Sequence, residues 1–231
     1  MSDAAQLALG FGHDAAMGAA DFLVAESNAQ AVGWLRRWPH WPTPALVLYG
    51  PAGCGKSHLA RIFASRSKGR LLTFADLAAC DPPALVADAP VCVLDDAELC
   101  SEAGVETALL HLFNVIAESG RGLLLTARCA PARWRIDLPD LRSRLNAACA
   151  AGIDLPDDEL MRAVLGKLFV DRQLRVGEDV LSYLLARMER SLNAARLLAE
   201  RIDAAALAAQ RPVTVPLVRA VLRAEMEGRG S

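Results

Sequence analysis

The sequence predicts an α/β protein: a five-stranded parallel sheet with helices on both faces, followed by a small all-helical domain. Three observations carry that prediction. The octapeptide GPAGCGKS at residues 50–57 meets the phosphate-cradling pattern G-x-x-x-x-G-K-[ST] at every fixed position. Apolar runs of strand type recur at 46–49, 71–74, 91–94, 122–126 and 152–155. Helical patterns such as 106–118 and 139–147 lie between them, which is the rhythm of βαβ units. Beyond Pro156 the apolar spacing is helical throughout, over 157–171, 178–188, 191–209 and 215–225, and no strand run interrupts it.

The start of the chain reads as irregular. In Trp38-Pro39-His40-Trp41-Pro42 the two prolines exclude a regular helix or a central strand. A packed connector is expected there, with an aromatic platform for single-stranded nucleic acid as the alternative. Ala45-Leu46-Val47-Leu48-Tyr49 then reads as a buried strand, and Leu59, Ile62 and Phe63 at helical spacing follow the octapeptide. The loop therefore sits between a strand and a helix, the setting a phosphate loop needs. Gly50, Gly53 and Gly55 let backbone N–H groups approach phosphate closely, and Pro51, Ala52, Cys54 and His58 complete the loop and its exit. Lys56 is expected to reach the β- and γ-phosphates and Ser57 to offer its hydroxyl to Mg²⁺. The chain has three lysines, Lys56, Lys68 and Lys167, against 22 arginines, so a lysine kept at 56 fits a need for a compact point charge.

The third strand run, Val91-Cys92-Val93-Leu94, ends in Asp95-Asp96. In a strand buried on both faces, charge belongs at the end that opens on the ligand crevice. Asp95 is expected to hold Mg²⁺ through its water shell and Asp96 to orient or deprotonate an attacking water. At the second half, Asp157 with Asp158 and Glu159 behind it reads as an N-cap with an acidic first turn.

Composition narrows the function classes. The chain has 231 residues, is 53% hydrophobic and carries a formal charge of −2, which predicts a well-filled core and argues against gripping nucleic acid mainly through its phosphates. Cys54, Cys80, Cys92, Cys100, Cys129 and Cys149 form no C-x-x-C pair and read as reduced thiols. His13, His40, His58 and His111 show no metal spacing. With Asp3, Asp14 and Asp21 but no lysine or arginine in the first 25 residues, and no apolar run of spanning length, the expectation is a cytoplasmic protein without membrane contact.

GPAGCGKSHLA and VLDD resemble the phosphate loop and acidic strand of the AAA+ ATPases of the DnaA group. The segment 20–28, ADFLVAESN, is similar to the stretch that crosses the adenine in that group, which implies nucleotide contacts from Phe22, Leu23, Val24 and Asn28. LPDLRSRL at 138–145 resembles the arginine-finger box, with Arg144 at the finger position. The helical half is similar to the AAA+ lid, in which the phosphate-sensing arginine aligns with Asn193, Arg190 and Arg196 lying one turn to either side. Within the group the chain resembles the Hda-like regulators that inactivate DnaA. It ends at Ser231, without the helix-turn-helix domain of the initiators, and QLALGF at 6–11 resembles the tail that docks on the sliding clamp of the replicase. There Gln6 would make amide hydrogen bonds while Leu7, Leu9 and Phe11 fill an apolar groove.

The resemblance implies a clamp-binding tail over 1–12, an AAA+ nucleotide-binding domain over 13–155 and a helical lid over 156–231. It implies ADP or ATP with Mg²⁺ as cofactors, DnaA and the sliding clamp as partners, a possible homo-oligomer and no sequence-specific DNA binding. The expected function is stimulation of hydrolysis of DnaA-bound ATP by Arg144 in trans. A DnaA-like helicase loader or transposition helper is the alternative, and a small-molecule kinase a more distant one. Two departures, Arg128 after Thr126-Ala127 in the fourth strand and Asn193 in the lid, imply weak or absent hydrolysis by the chain itself. The arginines at 128, 133, 135, 142 and 144 read either as a solvated face or as an edge presented to a neighbour's nucleotide.

Overall fold

The computed structural model describes residues 23–228. The predicted tail residues Gln6, Leu7, Leu9 and Phe11, and Phe22 of the adenine-crossing segment, lie outside the described residues. Five parallel strands form one sheet in the order β2-β3-β4-β1-β5: β1 Ala45–Tyr49, β2 Arg70–Leu72, β3 Val91–Leu94, β4 Gly122–Ala127 and β5 Cys149–Gly152. The three central strands are nearly all buried, because helices cover both faces. Period-two alternation divides their side chains. Ala45 and Val47 of β1 face one core with Cys92, Leu94, Leu123 and Leu125, whereas Leu46 and Leu48 face the other with Val91, Val93 and Leu124.

On the first face pack α3 Phe74–Ala79, α4 Pro82–Val86, α5 Glu106–Ser119 and α6 Pro139–Ala147; on the second, α1 Ala29–Arg36 and α2 Lys56–Ser67. The irregular start expected from sequence contains a helix, α1, in which Ala31, Val32 and Leu35 are buried on one side. The Trp-Pro stretch is a packed connector. Trp41 stacks on Phe63 with centroids 5.6 Å apart, Trp38 meets Trp41 edge-on at 4.7 Å, and Trp41 Nε1 donates to Trp34 O at 2.8 Å.

Two strands differ from their predicted limits. β2 stops at Leu72 instead of continuing to 74, because Thr73 and Asp76 form a reciprocal capping box that starts α3: Asp76 N–H donates to Thr73 Oγ1 (3.1 Å) and Thr73 N–H to Asp76 Oδ2 (2.8 Å). β5 occupies 149–152 and not 152–155. Cys149 N–H is anchored on Thr43 Oγ1 at 3.1 Å, and after Gly152 the chain leaves the sheet, Asp154 N–H reaching Ser27 O at 2.9 Å.

The second half is helical: α7 Asp158–Asp171, α8 Glu178–Leu185, α9 Leu192–Ala209 and α10 Val215–Gly228, around a core of their own that includes Leu165, Phe169, Leu184, Ala199 and Ile202. Asp157 caps α7 as expected, accepting from Leu160 N–H at 2.7 Å. The helix predicted to reach 188 ends at Leu185; the Arg187 and Met188 amides both bond back to Leu184 O and turn the chain toward Ser191, which caps α9. Among the described residues no helix is long and apolar enough to cross a membrane.

Candidate nucleotide site

The register aligns Tyr49 with Ala127 and Leu94 with Leu125, so the carboxyl ends of β1, β3 and β4 open on one edge of the sheet. β1 pairs with β4 on one side and β5 on the other, the point where strand order reverses and a ligand crevice is expected. Gly50 leaves β1 there with no room for a side chain: a Cβ would lie 2.0 Å from Ile153 O. Gly53, at φ 79°, is pressed against the lid, where a Cβ would come within 2.5 Å of Ser191 Cβ, and its carbonyl accepts from Leu192 N–H at 2.9 Å. The loop and the first turn of α9 are therefore one packed unit.

Lys56 opens α2 and is 6% exposed. Its ammonium donates to Gly50 O (2.8 Å) and Pro51 O (2.9 Å), so the charge is held inside the loop it serves. The first backbone bond of α2 runs from Leu59 N–H to Gly55 O, leaving the amides of Lys56, Ser57 and His58 to point out of the helix N-terminus. Burial pushes the Cys54 thiol up despite the Lys56 charge beside it, which makes it a packing group and not a nucleophile.

The acidic strand end meets the loop. Ser57 Oγ donates to Asp95 Oδ1 at 2.9 Å, the hydroxyl of the fully buried Thr126 donates to the same oxygen, and Thr126 Oγ1 accepts from Asp96 N–H at 3.0 Å. A hydroxyl and a carboxylate oxygen converging beside the loop are hard donors of the kind Mg²⁺ takes, and Ser57 and Asp95 would hold it, leaving further positions for phosphate oxygens and water. Asp96 takes a left-handed conformation (φ 51°) that aspartate tolerates and starts a short 3₁₀ turn. Arg128 follows β4 with its amide fixed on Glu98 Oε1 (2.7 Å) and its side chain exposed.

Two cavities flank the loop. The smaller, about 190 Å³, is mostly apolar and is lined by Leu23, Asn28, Cys54, His58, Leu160 and Leu192 among others. Asn28 shapes its wall, its amide donating to Leu23 O (2.8 Å) and its carbonyl accepting from Ala25 N–H (2.9 Å). Val24 is exposed and lines neither cavity. The larger, about 620 Å³, is lined by Gly53, Lys56, Ser57, His58, Asn193 and Arg196 among others. His58 belongs to both; partial desolvation, then the charges of Arg61 and Lys167, lower its pKa, so the imidazole is neutral at pH 7. Arg190 is paired with Asp158 at 2.9 Å instead.

Arg144 lies elsewhere, on α6, and lines neither cavity. Its side chain is 37% exposed, with Nε on Asp140 Oδ1 at 3.2 Å and the guanidinium 5.9 Å from the Phe113 ring. The entry into α6 is set by Glu106, which is 8% exposed and accepts from Asp137 N–H (3.0 Å) and Leu138 N–H (2.8 Å). Burial opposes ionisation of Glu106, but these amide bonds outweigh it and hold the carboxyl below its ordinary value of 4.5.

Residues 157–222 match the Hda lid domain family. Domain III of the replication initiation protein DnaA from Thermotoga maritima superposes with a TM-score of 0.78 at 18% identity, over 88% of this chain and 94% of that one. The fold is that of DnaA-like AAA+ proteins. DnaA of Aquifex aeolicus bound to AMPPCP superposes with a TM-score of 0.65 at 17% identity, over 78% of this chain and 63% of that one. The RuvB Holliday junction branch migration motor of Thermotoga maritima reaches 0.61 at 17% identity, over 78% and 61%. An uncharacterized protein of Haemophilus influenzae is 28% identical over 193 residues, 78% of this chain and 81% of that one.

In this DnaA-like AAA+ fold Gly53, Cys54, Gly55, Lys56, Ser57 and His58 of the loop line the two cavities with Leu23, Asn28 and Asn193, Asp95 joins them through Ser57, Asp96 follows at the strand end and lines neither cavity, and Arg144 lies apart on α6. Sequence reasoning assigned no role to Thr126, Glu106, Ser191 or Leu192. Each acts through a partner distant in sequence, and a threonine ending a buried strand was the one local signal. Replacing Glu106 with glutamine should lower stability by about 1–2 kcal/mol, since its charge-assisted bonds to two backbone amides at the entry to α6 are weakened. Because the folded-state pKa is depressed, the difference between parent and variant should be full above the unfolded value and vanish as pH falls through the folded one. Urea melts across that acid range read it directly.

Proposed function

We propose that the chain is a nucleotide-binding regulator of replication initiation of the Hda type. The observation that carries the reading is the separation of two half-sites: a complete phosphate loop in one crevice, and an arginine on α6 that lines neither cavity of that crevice. The lid match at 157–222 gives the family context. Residues 1–12 act as a clamp-binding tail, 13–155 as the nucleotide-binding core and 156–231 as the lid. ADP or ATP lies with its base toward Leu23 and Asn28 and its phosphates on the loop amides and Lys56. Ser57 and Asp95 would hold Mg²⁺, which would supply neutralisation of phosphate charge.

Arg144 then serves the nucleotide of DnaA. Its exposed pairing with Asp140, one turn away, is worth only about 0.3–0.5 kcal/mol, so the guanidinium can be given up to a neighbouring γ-phosphate at little cost. There it stabilises charge on the transferring phosphoryl group. For the chain's own nucleotide, the residue assigned to orient water is Asp96, at the end of the acidic strand. Arg196 stands beside Asn193 on the wall of the phosphate-side cavity, its NH2 group 3.4 Å from Asn193 Oδ1. It is the cation that the helical domain contributes to the lining of that cavity, and its NH1 group is paired with Glu200 at 2.8 Å. Arg128 contributes its amide to Glu98 and not an acid to the γ-phosphate, in line with slow hydrolysis by the chain itself.

The deciding experiment mixes the protein with DnaA–ATP, clamp-loaded DNA and either ADP or ATP, and follows phosphate release. Acceleration that needs both the protein and the loaded clamp is expected; none at any protein concentration would end the reading in favour of a helicase loader or transposition helper. The tail is tested separately. Alanine at Gln6, Leu7 and Leu9 should eliminate clamp binding in surface plasmon resonance and leave the melting temperature unchanged; a clear thermal destabilisation would show instead that the tail anchors to the core.

A further inference from the structure

A cavity of about 600 Å³ lies in the helical domain between the end of α8, α9 and α10, and its lining shares no residue with the two cavities beside the loop. Its rim is cationic. Among the described residues its lining has one carboxylate, Glu189, against four arginines, Arg187, Arg201, Arg219 and Arg223, and of these Arg187, Arg219 and Arg223 form no ion pair with a described carboxylate. Two of them are instead held in place by one tyrosine. The Arg187 guanidinium stacks 3.8 Å from the Tyr183 ring centroid and donates to the Tyr183 carbonyl at 3.3 Å, while Arg219 Nε donates to the Tyr183 hydroxyl at 3.2 Å. The apolar part of the lining comes from Leu197, Leu198 and Leu222, and Leu197 is one of the few large hydrophobic side chains the described residues leave exposed.

This combination selects its occupant. Guanidiniums fixed on an aromatic ring keep their full charge and lose little side-chain freedom when an anion arrives, so they favour carboxylate or phosphate. A small inorganic anion would leave the leucines uncovered. A nucleobase would need an open aromatic face to stack on, and Arg187 already covers a face of Tyr183. A phosphodiester strand is also disfavoured by a chain whose formal charge is −2. A peptide with carboxylates flanking a bulky apolar side chain satisfies both rim and floor.

We infer that this lid groove docks an acidic amphipathic segment of a partner protein, its carboxylates on Arg187, Arg219 and Arg223 and an apolar side chain on Leu197 and Leu222. The inference is independent of the function of Arg144 and of the nucleotide loop. The groove lies on the helical domain, where a bound segment can act on α9, whose first turn packs against Gly53.

The test uses the full chain and three fluorescein-labelled probes of equal length: a glutamate peptide with leucines set one helical turn apart, the same peptide with alanine for leucine, and an oligothymidylate. Anisotropy should show saturable binding of the glutamate–leucine peptide, about tenfold weaker binding of the alanine version, and a loss of about tenfold or more in the Arg219→Glu/Arg223→Glu protein. ADP affinity should be the same in parent and variant. Absence of saturable peptide binding to the parent, undiminished binding to the charge-reversed protein, or tighter binding of oligothymidylate overturns the assignment. Because the double variant could lose its fold, a photo-crosslinking version of the peptide is applied to the parent as well. Adducts on α9 and α10 are expected, and adducts confined to residues 23–155 overturn it.

Discussion

Replacing Lys56 with alanine should weaken ADP and ATP binding by about a hundredfold, without unfolding the α/β domain. The magnitude follows from the loss of a buried, preorganised cation from among the groups that face the phosphates, worth up to about 3 kcal/mol when the partner is charged. Lys56 is 6% exposed and bonded to two carbonyls of its own loop, so it fixes loop shape as well as supplying charge. An arginine at 56 should rescue poorly, because a forked guanidinium does not fit between Gly50 O and Pro51 O at these distances. Calorimetric titration measures the affinity, and thermal melting gives an independent reading. Saturating nucleotide, at about a hundred times its Kd, should stabilise the parent by about 2.7 kcal/mol and the variant by far less. Equal affinity in parent and variant would place the nucleotide away from the loop.

Arg144→Ala should abolish nearly all stimulation of DnaA–ATP hydrolysis, an expected loss of about a thousandfold, the scale on which an arginine supplied in trans acts. The same change should leave melting temperature, ADP affinity and clamp binding unaltered. Arg144 is partly exposed and lines neither cavity, and among the described residues its one ion pair is with an exposed carboxylate one turn away, beside the Phe113 ring. Arg144→Lys should restore little, since a point charge lacks the planar fork that meets phosphate oxygens in two places. An alanine variant that accelerates phosphate release as well as the parent does would rule out the trans finger while leaving nucleotide binding intact. The Lys56 and Arg144 results thus fail independently.

Much of the site was legible because its signals are local. The phosphate loop is eight consecutive residues whose glycines and lysine have one physical use together, and Asp95-Asp96 stand out as charge at the end of an otherwise apolar strand. Strand limits were less legible. The run at 71–74 looked continuous, yet Thr73 and Asp76 satisfy each other's backbone and close it early. The apolar residues of 152–155 suggested a strand that starts three residues too late, since the edge strand is built from small residues whose pairing is decided by β1. α1, with Ala31, Val32 and Leu35 on its buried side, was not assigned from the sequence.

By itself the sequence determined that five parallel strands alternate with helices, the all-helical second half, the loop, and the two carboxylates that end the third strand. These rest on periodicity and on short motifs, which act over a few residues. Tertiary structure alone decided what those groups touch: Thr126 bridging Asp95 and Asp96, Glu106 clamping the entry to α6, Arg196 joining Asn193 at the phosphate-side cavity while Arg190 turns to Asp158, and Gly53 bound to the first turn of α9. The physical reason is separation along the chain. Thr126 and Asp95, and Glu106 and Asp137, stand 31 residues apart. A buried hydroxyl or carboxylate in such a pair is satisfied only when the sheet and the helices packed on it have come together around it.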